Sequence, residues 1–265
     1  MIRRAITIGK ESNYNEDAVL ATESMIAVSD GAGGGGLFAD KWSNFLLSKL
    51  PMIPFNSFEE FDNWVDGIWE EFYSVQEIEA QKLDALSLDK FYSEGSFATI
   101  AAAWVDNKRV NWVTYGDSVI FCYDYETREL ISTINSLKDF NEAPYLVSTN
   151  EPLKADGFKC GTFVLSPSKI YFCASDALSF YIWASYLAEN EGYTNQQLME
   201  VYHSKSKNAN FIFKILSRNS NFESDVLNKL LSTSRNRHNF SQHLNRLFKD
   251  GLIASDDYSI CFMLQ

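Results

Sequence analysis

Residues 25–36 read Met25-Ile26-Ala27-Val28-Ser29-Asp30-Gly31-Ala32-Gly33-Gly34-Gly35-Gly36. A short apolar run ends abruptly in an acidic residue, and glycines follow. Acidic residues are disfavoured inside strands and common in turns, so one such ending carries no information. The ending recurs along the chain, however. Val110 to Tyr115 stops at Gly116-Asp117-Ser118, and Ile170 to Ala174 stops at Ser175-Asp176-Ala177. Leu252-Ile253-Ala254-Ser255 leads into Asp256-Asp257 ahead of a further apolar run, and Asn15-Glu16-Asp17 stands before another. Carboxylates beside small neighbours at five strand ends predict that those ends converge on a cation.

The residue types fit that chemistry. Magnesium and manganese are hard ions that take oxygen ligands, often carboxylates and waters. Two such ions about 3.5–4 Å apart can share a bridging carboxylate and an activated water. Gly31, after Asp30, lets a backbone carbonyl or a ligand come close. Without a cation, clustered carboxylates repel one another and some are driven to hold protons.

The remaining pattern frames these ends. Short strands are predicted at 17–22 and 24–29, and a helix at 37–50 that stops at Pro51. The spacing of Phe61, Trp64, Ile68, Phe72, Val75 and Ile78 predicts one long amphipathic helix from Phe58 onward. Strands follow at 97–105, 109–116 and 118–125, then a loop-rich stretch over 127–160, then strands at 161–165 and 169–175. Residues 177–250 read as mostly helical, broken by SKSKNAN, SRNSN and STSRNRHN, and a last strand runs from Tyr258 to Leu264. This order does not alternate as a doubly wound fold does. It fits antiparallel sheets covered by helices, in one domain over 1–265, since no linker divides the chain.

Composition bounds the function. Of 265 residues, 46% are hydrophobic and 22% charged, which is globular and not disordered. With 23 basic and 35 acidic residues the net charge is −12, so nucleic acid is not an expected partner, whereas cations are. Residues 201–250 carry nine basic and three acidic side chains, a local balance of +6 that leaves −18 for the rest. A solvated helical surface accounts for this, and an anionic substrate or partner is the alternative. Cys122, Cys160, Cys173 and Cys261 form no CxxC pair and read as buried thiols in a reducing compartment. The first apolar run is too short for a signal core, and the longest, Ala98 to Val105, is too short to cross a bilayer. A cytoplasmic protein with no membrane partner is expected. His203, His238 and His243 are expected at the surface, and Trp64, Trp69 and Phe72 in the core. Nothing in the sequence speaks to oligomeric state.

The glycines at 31–36 also match GxGxxG between a strand and a helix, the setting of a dinucleotide site. The acidic strand end required some 20 residues later is missing; the chain there reads Pro51-Met52-Ile53-Pro54. Dinucleotide binding is therefore a minor alternative.

Taken in order, Asn15-Glu16-Asp17-Ala18, Val28-Ser29-Asp30-Gly31, Gly95-Ser96-Phe97-Ala98-Thr99, Gly116-Asp117-Ser118, Ala174-Ser175-Asp176-Ala177-Leu178 and Asp256-Asp257-Tyr258-Ser259-Ile260 resemble the metal-dependent protein phosphatases of type 2C, the PPM family, in a bacterial form. The resemblance spans nearly the whole chain. It implies an α+β fold, a four-layer α/β/β/α sandwich of two antiparallel sheets flanked by helices. It also implies two Mn2+ or Mg2+ ions, with a place for a third. By position, Asp30 would bridge the ions, Asp176 and Asp256 would hold the first, and Glu16 with the Gly31 carbonyl the second. Asp17 would hold a metal-bound water, and Asp117 would serve the third ion. The implied activity is hydrolysis of phosphoserine and phosphothreonine in phosphoproteins, a signalling role, by a hydroxide bridging the ions and without a phosphoenzyme. The sequence departs from the family where an arginine usually binds the substrate phosphate: here stands Ser12, with Lys10 nearby. Ala32, Ala177 and Phe97 also replace usual residues, and the segment from Asp176 to Asp256 is long. These departures support the alternative of a degenerate phosphatase-like domain acting as a binding or regulatory module.

Overall fold

The structure, a computed structural model, describes residues 2–10 and 14–264. In chain order its strands are β1 (Ile2–Ile8), β2 (Ala18–Ala21), β3 (Met25–Ser29), β4 (Phe97–Ala98), β5 (Ile100–Asp106), β6 (Arg109–Tyr115), β7 (Val119–Asp124), β8 (Glu129–Ser132), β9 (Val147–Ser148), β10 (Phe158–Val164), β11 (Lys169–Ala174) and β12 (Tyr258–Leu264). Its α-helices are α1 (Ala39–Lys49), α2 (Phe58–Asp66), α3 (Trp69–Ala80), α4 (Ala85–Glu94), α5 (Asp176–Asn190), α6 (Gln196–Tyr202), α7 (Ala209–Arg218), α8 (Asn228–Thr233) and α9 (Arg237–Lys249).

The strands build two five-stranded sheets, β1-β12-β11-β7-β8 and β10-β6-β5-β3-β2, with β4 and β9 as a small separate pair. Every strand pair is antiparallel. Side chains alternate between two apolar environments rather than between core and water. In β3, Ile26 and Val28 join Ala101, Ala103, Ile120, Cys122, Tyr171, Cys173, Cys261 and Met263 in the layer between the sheets. Met25 and Ala27 on the other face pack with Trp42, Leu46, Phe61 and Phe72 of α1–α3. The outer face of the other sheet, with Phe121, Phe172 and Phe262, packs against α5–α9 through Leu178, Ile182, Ile212, Phe240 and Leu244. The result is the expected α/β/β/α sandwich, and covering both sheet faces is why its strands read as unbroken apolar runs.

Some expectations give way. The long helix from Phe58 is two helices, because the chain turns at Gly67 and Ile68; Phe61, Val65 and Phe72 pack inward, whereas Val75 and Ile78, counted in the apolar spacing, are exposed. The loop-rich stretch contains β8 and β9, and a further helix, α4, precedes β4. β1 escaped prediction: Arg3 and Arg4 interrupt its apolar pattern, yet seven residue pairs hold it to β12. Cys160 is exposed on β10, an outer strand, while the other three thiols are buried. His243 is buried at 8% exposure, not at the surface, because α9 turns it inward with Phe240, Leu244 and Leu247. Among the described residues no helix is long and apolar enough to cross a membrane.

Candidate metal centre

The acidic strand ends meet at one end of the sandwich, and they come from both sheets. Asp30 follows β3, Asp117 lies in the link from β6 to β7 where the chain passes from one sheet to the other, Asp176 opens α5 after β11, and Asp256 precedes β12. Asp30, Asp117 and Asp176 each feel the charge of others in the set. Burial and then the charges of Asp17, Asp176, Asp117 and Asp256 hold the Asp30 carboxyl well above the usual carboxylate range. Asp176 is raised by burial, then by Asp117, Asp256 and Asp17. Asp117 is pushed up to about 6, mainly by burial, with Asp256 adding.

Asp17 is also deeply placed. It is 4% exposed, and among the described residues neither carboxylate oxygen reaches a hydrogen-bonding partner. Burial pushes it up to about 7, the charge of Asp257 adds to this, and the nearby Ser259 and Ser175 hydroxyls oppose it. An unpartnered buried carboxylate among like charges is a group that lacks a counterion.

The backbone holds this arrangement. Thr99 is its hub: its N–H donates to the Asp30 carbonyl at 2.8 Å, and its hydroxyl accepts the Asp30 N–H at 3.0 Å. That hydroxyl also meets the Ser118 hydroxyl at 2.7 Å, which ties the Asp30 turn to the Asp117 turn. Gly116 between them has φ 104°, a left-handed conformation, and a side chain there would strike Thr99. Gly31 bridges to Ala98, and a Cβ on it would lie 2.5 Å from the Glu16 carbonyl oxygen, so only glycine lets the two segments approach. At the far side, the Ser175 hydroxyl accepts the Ser259 N–H at 3.0 Å and joins the ends of β11 and β12.

Glu16 is half-buried. Its carboxylate accepts from Tyr14 Oη at 3.1 Å and Lys10 Nζ at 3.4 Å. Lys10 Nζ also lies 3.8 Å from Asp256 Oδ1. Burial opposes the charge of Lys10, but Asp256, Asp257 and Glu16 together hold it above the ordinary lysine range. Ser12 lies outside the described residues.

The neighbours Asp256 and Asp257 separate clearly. Asp257 is 3% exposed, and its two oxygens accept the backbone N–H groups of Lys10 and Glu16, each at 2.7 Å. Asp256 Oδ1 accepts only the Asp257 N–H, at 3.0 Å, and the residue faces the cleft shared with Asp176. Sequence spacing could not distinguish them, because the difference lies in which side chain turns toward the N-terminal segment. Thr99, Ser118 and Ser175 were likewise not singled out as site residues; each sits beside an acidic motif, which was the available signal. A cavity of about 230 Å3 adjoins Asp117, with Thr133, Asp139, Glu142, Tyr145 and Lys159 in its walls.

The candidate donors are half-buried carboxylates with a backbone carbonyl nearby, and the buried Asp17 stands beside them; that chemistry suits hard divalent cations. Among the described residues, no three His, Cys, Asp or Glu side chains form a group that could hold an ion as they stand. The glycine run follows a strand of a wholly antiparallel sheet, which is not the βαβ setting of a dinucleotide site.

No family model matches the sequence, and no curated protein matches it. Solved structures do. The catalytic domain of the serine/threonine protein phosphatase PstP, in complex with two manganese ions, is similar over 98% of this chain and 96% of its own, with TM-score 0.55 and 13% identity. The serine/threonine phosphatase Stp1 from Staphylococcus aureus is similar over 99% of this chain and 94% of its own, at TM-score 0.53 and 14% identity. PppA, a regulatory component of T6SS in Pseudomonas aeruginosa, is similar over 98% and 96%, at TM-score 0.52 and 16% identity. The chain has the fold of the type 2C serine/threonine phosphatases.

Proposed function

We propose that this protein is a Mn2+- or Mg2+-dependent phosphatase acting on phosphoserine and phosphothreonine in proteins, with its centre at Asp30. The observation that carries the reading is that Asp30, Asp117 and Asp176, from both sheets, are raised first by desolvation and then by neighbouring carboxylates, on a phosphatase fold. In this reading Asp30, Asp176, Asp256, Glu16 and the Gly31 carbonyl would hold two ions, and Asp117 would serve a third. Bound ions would supply an activated water and neutralise the phosphoryl charge.

The chain's own residues have separate tasks. Asp17, buried and without a hydrogen-bond partner, orients a water and takes its proton. Thr99 fixes the Asp30 turn, and Asp257 fixes the segment that carries Glu16. Lys10, beside Glu16 and Asp256, can face a phosphate oxygen as a point charge, without the fork of an arginine. Ser12 is the second candidate on that side. No side-chain nucleophile is assigned, so no phosphoenzyme should form.

The test is hydrolysis of phosphopeptides and p-nitrophenyl phosphate by the purified chain with manganese, and its loss in Asp30→Asn. Metal binding without turnover on either substrate would instead favour a binding or regulatory module. A cytoplasmic signalling role belongs to the same proposal.

A further inference from the structure

The turn between α6 and α7 reaches the carboxylate end. It is internally braced: the Ser204 and Ser206 hydroxyls lie 2.7 Å apart, and the Ala209 N–H donates to the Ser206 carbonyl at 3.2 Å. Asn208, 6% exposed, donates from Nδ2 to Asn141 Oδ1 at 3.0 Å and so anchors the turn to the 137–141 segment. Lys207, next to that anchor, shares a small cleft with Asp176 and Asp256, walled by Phe140, Phe180 and Phe211. The cleft volume is about 30 Å3, room for about two water-sized groups.

The two lysines near this end differ in commitment. Lys10 is paired with Glu16 at 3.4 Å and with Asp256 at 3.8 Å. Lys207 forms no ion pair among the described residues, although two carboxylates line its cleft. A flexible ammonium that no carboxylate pairs is free to take a different anion.

We propose that Lys207, delivered by the helical segment, is the cation that binds the phosphate of the substrate, in place of the arginine that the N-terminal segment lacks. This rests on the phosphatase reading for its substrate, a phosphomonoester dianion. The cleft admits one or two phosphate oxygens and leaves the rest of the group over the carboxylate end. The positive charge of residues 201–250 then has one member with a specific task, while the others remain solvated surface.

The experiment uses the full chain with manganese and the variants Lys207→Ala, Lys207→Arg, Lys207→Glu and Lys10→Ala. KM and kcat are measured on a phosphopeptide and on p-nitrophenyl phosphate, and inorganic phosphate binding is measured by calorimetry. A charge-assisted contact predicts a loss of roughly ten- to a hundredfold in KM and in phosphate affinity for Lys207→Ala, a larger loss for the glutamate, and a small one for the arginine. The kcat should change less, and thermal melting should not move. Unchanged KM and phosphate affinity in Lys207→Ala overturn the assignment while leaving the phosphatase reading intact, most directly if Lys10→Ala shows the loss instead. Phosphate binding that depends on Lys207 in a protein that hydrolyses neither substrate overturns the phosphatase reading and retains the assignment. A wild-type chain that binds no phosphate overturns the assignment outright.

Discussion

Asp257 Oδ2 accepts the backbone N–H of Glu16 at 2.7 Å, across 241 residues of sequence. Its other oxygen accepts the N–H of Lys10 at the same distance. One buried carboxylate at the start of the last strand therefore sets where the N-terminal segment runs, and the adjacent Asp256 is left to face the cleft. The pair divides into a residue that holds the chain and a residue that lines the cleft.

That division predicts opposite phenotypes. Asp257→Ala should lose about 1–2 kcal/mol of stability by leaving two part-buried amides without their carboxylate, with or without metal. Asp256→Asn should leave denaturant stability nearly unchanged and weaken manganese binding at least tenfold. Urea unfolding and calorimetric metal titration of the two variants read the difference; a destabilised Asp256→Asn with normal metal affinity would reverse the assignment.

Relief of repulsion should be visible without metal. Asp30 is raised by burial and by four neighbouring carboxylates, so Asn in its place removes a charge the metal-free protein does not want. Asp30→Asn should gain about 1 kcal/mol when metal-free, a rise of roughly 2–4 °C in Tm, and lose its thermal response to manganese. Differential scanning calorimetry with and without chelator measures both, and a metal-free Tm that falls would count against the clustered-charge account.

Acid and base act on the metal-free protein with a definite sign. Asp17 and Asp117 titrate in the folded state near 7 and 6, against 3.8 as the ordinary value. The folded chain thus keeps protons that the unfolded chain releases, so this contribution to stability is full below about pH 3.8 and is lost as pH rises through 6 to 7. Manganese binding should expel these protons, and its affinity should climb over the same window. Proton release measured in two buffers of different ionisation enthalpy tests this; binding with no proton release from pH 5 to 6 would contradict it.

His243 has the opposite sign. Burial, with Lys229, Arg246 and Arg218 adding, lowers it from 6.5 to about 4, and its Nε2 is buried without a hydrogen-bond partner. The unfolded chain takes up the proton first, so stability is complete above pH 6.5 and is lost as pH falls toward 4, by on the order of 1–2 kcal/mol. Subtracting the pH profile of His243→Leu from that of the parent isolates this loss from the carboxylates; a flat difference would remove His243 from the account.

Two glycines beside Asp30 should respond differently. A Cβ at Gly31 would meet the backbone carbonyls of Glu16 at 2.5 Å and Ala39 at 2.8 Å, which cannot yield cheaply. At Gly33 it would meet the Glu16 carboxylate, a side-chain end that can swing away. Gly31→Ala should cost about 2 kcal/mol or more, whereas Gly33→Ala should fold normally and bind manganese more weakly. Melting curves and metal titrations of both decide it.

The sandwich was legible because several strand ends carry a punctuation mark, an apolar run that stops at a carboxylate beside small residues. Asp30, Asp117 and Asp176 were singled out this way, and the charge of each reaches others in the group. What stayed hidden depends on contacts distant in sequence. β1 has a poor apolar pattern, since Arg4 reaches across to the Leu231 carbonyl and Ser234, and pairing with β12 is what makes it a strand. Periodicity ran through Gly67 without registering the turn, and it counted Val75 and Ile78, which lie exposed beyond it. Nothing local marks His243 as buried or Lys207 as near Asp176, since both depend on how the helical segment packs.

The carboxylates of the candidate centre are divided between the two sheets, with Asp117 in the strap that joins them. An ion held at both Asp30 and Asp176 would then act as a rivet through two plates. Prising the plates apart would require drawing the rivet first, so the lifetime of the native state would follow the off-rate of the ion rather than the contacts of the apolar layer between the sheets. Chelation should accordingly speed hydrogen exchange in β3 and β11 together, as one event on both sides of the seam.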